Sequence, residues 1–246
     1  MVQATGLDGG MTVESRWPVG LSLVDSTPAV LRGAPSVQQP TLWMAHGAGT
    51  VPPGWETTTA VVNGAELSAL VTDSALVPVL GPVHVAVGTA QTRQVKAAAV
   101  AVCVPRRVRE SAILHRGSAA WFHACATPPS VLEFVTHREN RCSTRPAPPS
   151  AAVRWTVRQL LYEPQDVDHF HGCCVTTPLR TAADLACWED PAGLAALRLL
   201  LTAPHLGVDG AQVVGLLRAR SRLPHRTRGV ITVRKVCRQL GLPVPA

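Results

Sequence analysis

The junction at Thr177-Pro178 constrains the fold of this chain more than any other feature of its sequence. Residues 167–175 are mostly apolar and predict a strand. Threonine is a frequent helix N-cap, and proline is favoured at the first helical position, so a helix is predicted from there to about Trp188. The chain must therefore pass directly from a sheet into a helix.

The remaining patterns predict a further series of helices and strands. A helix over 64–76, capped by Asn63, leads into a hairpin over 77–87 around Gly81-Pro82. Helices are also predicted over 92–104, 111–126, 192–201, 208–220 and 228–240, and strands over 132–136 and 152–161. This order favours an α+β fold with a small, mainly antiparallel sheet followed by C-terminal helices.

Length and composition indicate a globular protein of the cytosol. The chain has 246 residues, 46% of them apolar, which is enough for a sizeable core. Residues 1–40 are rich in Gly, Pro, Ser and Thr and predict a poorly ordered lead without a signal peptide. The most apolar stretch, 97–104, is far shorter than the roughly 20 residues of a membrane span, so no membrane partner is expected. The seven cysteines show no framework and are expected to be free thiols.

Charge is distributed unevenly along the chain. The formal net charge is +7, yet residues 1–92 contain six acidic and only two basic residues. The basic excess therefore lies in residues 93–246, which suggests an anionic partner for that part. Aromatic residues make up only 4% of the chain, which argues against an aromatic platform for single strands.

Three phrases carry a resemblance to a known family. The first is Leu67-x-x-Leu70-Val71 followed by the hairpin pattern, and the second is Ser118-Ala119-Ala120-Trp121-Phe122-His123 followed by the strand at 132–136. The third, and most specific, is Val175-Thr176-Thr177-Pro178-Leu179-Arg180-Thr181-Ala182-x-Asp184. In this order they resemble the actinobacterial branch of the AbiEi-type antitoxins of type IV toxin–antitoxin systems, over roughly half to two-thirds of the chain.

We expect a non-enzymatic regulator without a cofactor or metal, and the expectation of a regulator draws on this resemblance. It implies a winged helix over 41–90 that represses the protein's own promoter, and an α+β domain over 91–246. That domain would help to counter a nucleotidyltransferase-like toxin without binding it tightly. No acidic metal-binding motif follows Leu240, so the endonuclease-like domain of some relatives is not expected. The motif residues singled out are Ser118, Trp121, Thr177, Pro178, Arg180 and Asp184.

The candidate recognition helix departs from the winged-helix pattern. The segment 64–76 contains Glu66 and Asp73 and no basic residue, and acidic groups oppose contact with phosphates. The winged-helix-like part is therefore expected to be degenerate.

The candidate nucleic-acid site lies at the C-terminal end of the chain. Eight basic residues and no acidic one follow Asp209, which fits either phosphate contact or a solvated basic tail. The residues assigned to phosphate contact are Arg218, Arg220, Arg228, Arg234, Lys235 and Arg238.

Other side chains leave alternatives open. The i,i+4 spacing of Arg180 and Asp184 predicts an ion pair on the helix surface or a polar site of the family. His169, His171 and Cys173 would share one face of a single strand, but a fourth ligand for zinc is missing. One alternative function is a nuclease-related enzyme with Mg²⁺ bound by Glu163, Asp166, Asp168 and Asp184. Another is a degenerate paralogue with a protein-binding role.

Overall fold

The computed structural model describes residues 40–45, 58–137, 147–148, 151–188 and 190–246. The predicted lead over 1–40 lies outside these residues, apart from Pro40.

Helices and strands alternate along this part of the chain and give an α+β fold. The helices are α1 (Gly64–Thr72), α2 (Arg93–Cys103), α3 (Arg106–Arg109), α4 (Arg116–Phe122), α5 (Pro178–Trp188), α6 (Pro191–Thr202), α7 (Gly210–Ala219) and α8 (Arg226–Leu240). The strands are β1 (Thr41–Ala45), β2 (Thr58–Val62), β3 (Leu76–Leu80), β4 (Val83–Ala86), β5 (Ile113–Leu114), β6 (Val131–His137), β7 (Arg154–Leu160), β8 (Val167–Phe170) and β9 (Cys173–Thr176).

The first sheet has the strand order β2-β1-β4-β3. β1 and β2 are parallel, whereas β4 runs antiparallel to both β1 and β3. The predicted hairpin is confirmed, and its turn needs a glycine because Gly81 has φ +51° and a Cβ there would lie 2.4 Å from Val153 Cγ2. Asn63 caps α1 as predicted, although the helix ends at Thr72 rather than at residue 76.

The second sheet has the order β7-β6-β5-β9-β8 and is mixed rather than mainly antiparallel. β6 pairs in parallel with β7, and so does β5 with β9, while the β5–β6 and β8–β9 pairs are antiparallel. The predicted alternation of β7 is confirmed, since Trp155 and Val157 are buried while Arg154 and Arg158 are exposed.

Two predicted elements are wrong. A single helix over 111–126 is replaced by β5 and the shorter α4, because Ile113 and Leu114 are buried between β6 and β9. A single strand over 167–175 is replaced by the β8–β9 hairpin, which turns at His171 and Gly172 with φ 43° and 68°. His169, His171 and Cys173 therefore do not share one strand.

Buried side chains form two clusters. The first joins both sheets with α2 and α4, and includes Leu42, Val85, Val100, Trp121 and Phe134. It contains side chains from both sides of the predicted domain boundary at residue 90. The second cluster lies among α5, α6, α7 and α8, with α5 packed against the other three.

Candidate functional site

Arg180 lies at the centre of a buried ion network. Its side chain is 3% exposed, with Nε donating to Asp184 Oδ1 at 3.0 Å and Nη1 donating to Asp166 Oδ2 at 2.9 Å. The prediction of a pair on the helix surface is wrong because the 3-10 turn Pro164–Asp166 brings a second carboxylate onto the same guanidinium. Burial raises the pKa of Asp184 and of Asp166, and the positive charge of Arg180 opposes that rise.

A second arginine extends the network to α7. Arg220, which ends that helix, donates from Nη2 to Asp166 Oδ1 at 3.0 Å and forms an ion pair with Glu163. Arg220 was predicted to contact nucleic acid, but in the structure its guanidinium is bound by carboxylates. The network thus ties α5 and α7 to the turn before β8.

The acidic residues proposed for Mg²⁺ are arranged differently from a metal site. Glu163, Asp166 and Asp184 converge on the guanidiniums of Arg180 and Arg220, which occupy the position a cation would need. Within the described ranges, no group of three His, Cys, Asp or Glu side chains is placed to hold a metal ion.

The third phrase also fixes the start of α5. Thr177 Oγ1 accepts a hydrogen bond from Arg180 N at 3.3 Å, and Pro178 occupies the first helical position, as predicted. His123 Nε2 lies 2.8 Å from Thr176 O, which joins the end of α4 to the end of β9. The second and third phrases therefore meet in space.

The second phrase binds α4 to its neighbours. The hydroxyl of Ser118, which is fully buried, accepts from Glu133 N at 2.8 Å, while Lys96 Nζ donates to Trp121 O at 2.6 Å. Burial lowers the pKa of Lys96 to about 8. In this structure Ser118 and Trp121 position helices rather than face solvent.

His115 is a buried polar residue that the sequence analysis missed. It is 2% exposed, and both of its ring nitrogens are buried without a hydrogen-bond partner in the described structure. Burial lowers its pKa to about 3, and the positive charges of Arg116, Arg158 and Arg180 add to that effect. No local sequence pattern identifies this residue, because its surroundings come from α4, β7 and α5.

The C-terminal basic residues divide into two groups. Arg228, Lys235 and Arg238 are exposed, and their spacing of seven and three residues puts them on one face of α8. We call these three residues the α8 stripe. Arg218 is exposed at the end of α7, whereas Arg234 is half-buried and its Nε donates to Pro245 O at 3.1 Å. Ile231, which is 61% exposed, lies on the same face as the stripe.

No protein-family model matches the chain, and no curated protein is found to be similar to it.

In the described part of the chain no single helix is long and apolar enough to cross a membrane. α6 and the segment 204–219 meet that criterion only together, across a bend of 81°.

Proposed function

We propose that this protein is a cytoplasmic, antitoxin-like transcriptional regulator of the AbiEi type. It binds the DNA of its own promoter, and it counters a nucleotidyltransferase-type toxin without binding that toxin tightly. The observation that supports DNA binding most strongly is the α8 stripe, an exposed row of cations in a segment that has no acidic residue after Asp209. The three sequence phrases support the antitoxin role.

The contact we propose is electrostatic. Guanidinium and ammonium groups on one helix face neutralise phosphates and release condensed counterions. The opposite charge is found at α1, where Glu66 and the C-cap residue Asp73 are both exposed. We therefore assign phosphate contact to the α8 stripe, and we treat the 41–90 segment as a winged-helix remnant that adds little to affinity.

The Arg228→Gln/Lys235→Gln variant should bind promoter DNA more weakly and with a weaker dependence on salt. Each lost phosphate contact lowers the slope of log K against log salt by about 0.9, so the double variant should lose about two units of slope. Fluorescence anisotropy with the upstream DNA, at several salt concentrations, measures this.

A matched control removes two charges from elsewhere on the surface. Arg106 and Arg107 are both exposed on α3, so Arg106→Gln/Arg107→Gln changes the net charge equally. An equal loss of slope in both variants would show that only bulk charge matters. An unchanged slope in the α8 variant would remove the stripe from the proposal.

The toxin part of the proposal needs a separate experiment. A nucleotidyltransferase encoded next to this protein should arrest growth when expressed alone, and coexpression of this chain should restore growth. The two proteins should not copurify. Continued arrest in the presence of this chain would contradict the antitoxin role.

A further inference from the structure

Trp188, the last residue of α5, is exposed and surrounded by cationic side chains. Its side chain is 36% exposed. The guanidinium carbon of Arg116 lies 4.9 Å from the centre of the indole, and that of Arg158 lies 5.5 Å from it. The ring of His225 approaches at 5.4 Å with an interplanar angle of 75°. We call these four residues the Trp188 platform.

Two residues of the platform adopt strained backbone conformations. Arg116 has φ 51° and His225 has φ 57°, in the left-handed region that side chains with a Cβ rarely adopt. Such strain persists only where the surrounding structure enforces it, and it concentrates at functional sites. Here both strained residues contact the same exposed indole.

Ion pairs hold the platform in place before any ligand arrives. Arg116 donates to Glu133 at 2.8 Å and to Asp190 at 3.3 Å, and it is only 12% exposed. Its guanidinium therefore stays beside the indole, while its charge is largely offset by the two carboxylates. The more exposed Arg158 remains available to a ligand.

The surroundings of the indole favour an anionic aromatic ligand. Arg154 and Arg158 lie on the exposed face of β7, and Arg226 and Arg228 follow His225 at the start of α8. A flat π surface beside cations matches the two parts of a nucleotide, because the base stacks while its phosphate is neutralised. A cationic partner would be repelled by the same arginines.

We propose that the Trp188 platform binds an unpaired nucleobase, so that the protein recognises a single-stranded or flipped-out segment of a nucleic acid. The inference rests on the proposed function only in taking the partner to be a nucleic acid. It adds that one base leaves the duplex stack and lies against the indole in place of the exposed Arg158 guanidinium, which lies over the ring in the structure and moves to the adjoining phosphate. The low aromatic content excludes a row of such platforms but not this one.

The test compares an eight-nucleotide single strand with an abasic strand of the same length and charge. The wild-type protein should bind the base-bearing strand about tenfold or more tightly, since stacking on an aromatic side chain contributes that much per base. Trp188→Leu should bring this ratio close to one, whereas Trp188→Tyr should keep most of it. DNA and RNA strands, measured in parallel, show which backbone is preferred.

Leu199→Ala is the matched control, because Leu199 is an apolar side chain that is 51% exposed on α6. It should leave the ratio unchanged. The inference is overturned if the wild-type protein binds the base-bearing and abasic strands with equal affinity. It is also overturned if Trp188→Leu keeps the wild-type preference for the base-bearing strand.

The two proposals fail separately. Binding of duplex promoter DNA through the α8 stripe, together with a ratio near one, would remove only the Trp188 platform. A high ratio that depends on Trp188, without any duplex binding, would remove only the promoter contact.

Discussion

Replacing Arg180 by Met is expected to lower the free energy of unfolding by about 3–5 kcal/mol. The substitution keeps much of the volume of the side chain but removes the charge shared by Asp166 and Asp184, which are 4% and 5% exposed. Two buried carboxylates then lose their main partner, although Arg220 still contacts one of them. Because whole domains are stable by only about 5–15 kcal/mol, urea denaturation should detect this loss easily.

Arg106→Met is the control for removing an arginine from an ion pair. Arg106 and Glu110 form an i,i+4 pair on the surface, with side chains that are 81% and 52% exposed. Such pairs contribute little, so this variant should unfold at nearly the wild-type urea concentration. If both variants lost the same stability, the buried position of Arg180 would not explain its effect.

The loss of unfolding free energy in Arg180→Met should increase as the pH rises from about 4 to about 7. Burial raises the pKa of Asp184 and of Asp166 above the ordinary value of 3.8, so the folded state binds these protons more tightly than the unfolded chain. Their protonation favours folding at low pH, and that contribution disappears as pH rises through the raised pKa values. Removal of Arg180 raises both values further, so the deficit should be small near pH 4 and largest near pH 7.

Local signals were sufficient to predict several single elements of the fold. Thr177 and Pro178 define the start of α5, Asn63 caps α1, and alternation along β7 separates its buried from its exposed side chains. Each of these rests on contacts within a few residues of the chain, or on the periodicity of one segment. The general α+β class followed from their order.

The network itself required long-range contacts that no sequence window contains. Asp166 reaches Arg180 across 14 residues and Arg220 across 54. The spacing of Arg180 and Asp184 therefore predicted the pair but not its burial. The same reason explains β5, a two-residue strand that exists only because β6 and β9 flank it.

His115→Met is expected to stabilise the protein increasingly as pH falls below 6.5. The ordinary histidine pKa of 6.5 falls to about 3 in the folded state, chiefly through burial. The folded state therefore binds this proton less tightly than the unfolded chain, and stability is lost as pH decreases from 6.5 toward 3. Linkage gives a penalty of about 3 kcal/mol at pH 4, which the methionine removes.

The comparison isolates one group because His115 makes no side-chain hydrogen bond in the described structure. At pH 7 the variant should be at least as stable as the wild type, since methionine adapts well to buried sites and leaves no buried ring nitrogen without a partner. His123, whose pKa is lowered to about 4, is less suitable because its Nε2 is bonded to Thr176 O. Substituting His123 would add the cost of an unpaired carbonyl to the effect of titration.

Thermal unfolding between pH 7 and pH 4 measures the difference between His115→Met and the wild type. His205→Gln, which replaces an exposed histidine, is the control for removing a histidine, and an equal effect in both variants would mean that the burial of His115 does not explain the result. If the melting temperatures of His115→Met and the wild type differed by the same amount at every pH, His115 would take up its proton without cost in the folded protein. A gap that widens with acid would instead place part of this protein's acid sensitivity in a single buried imidazole between α4 and α5.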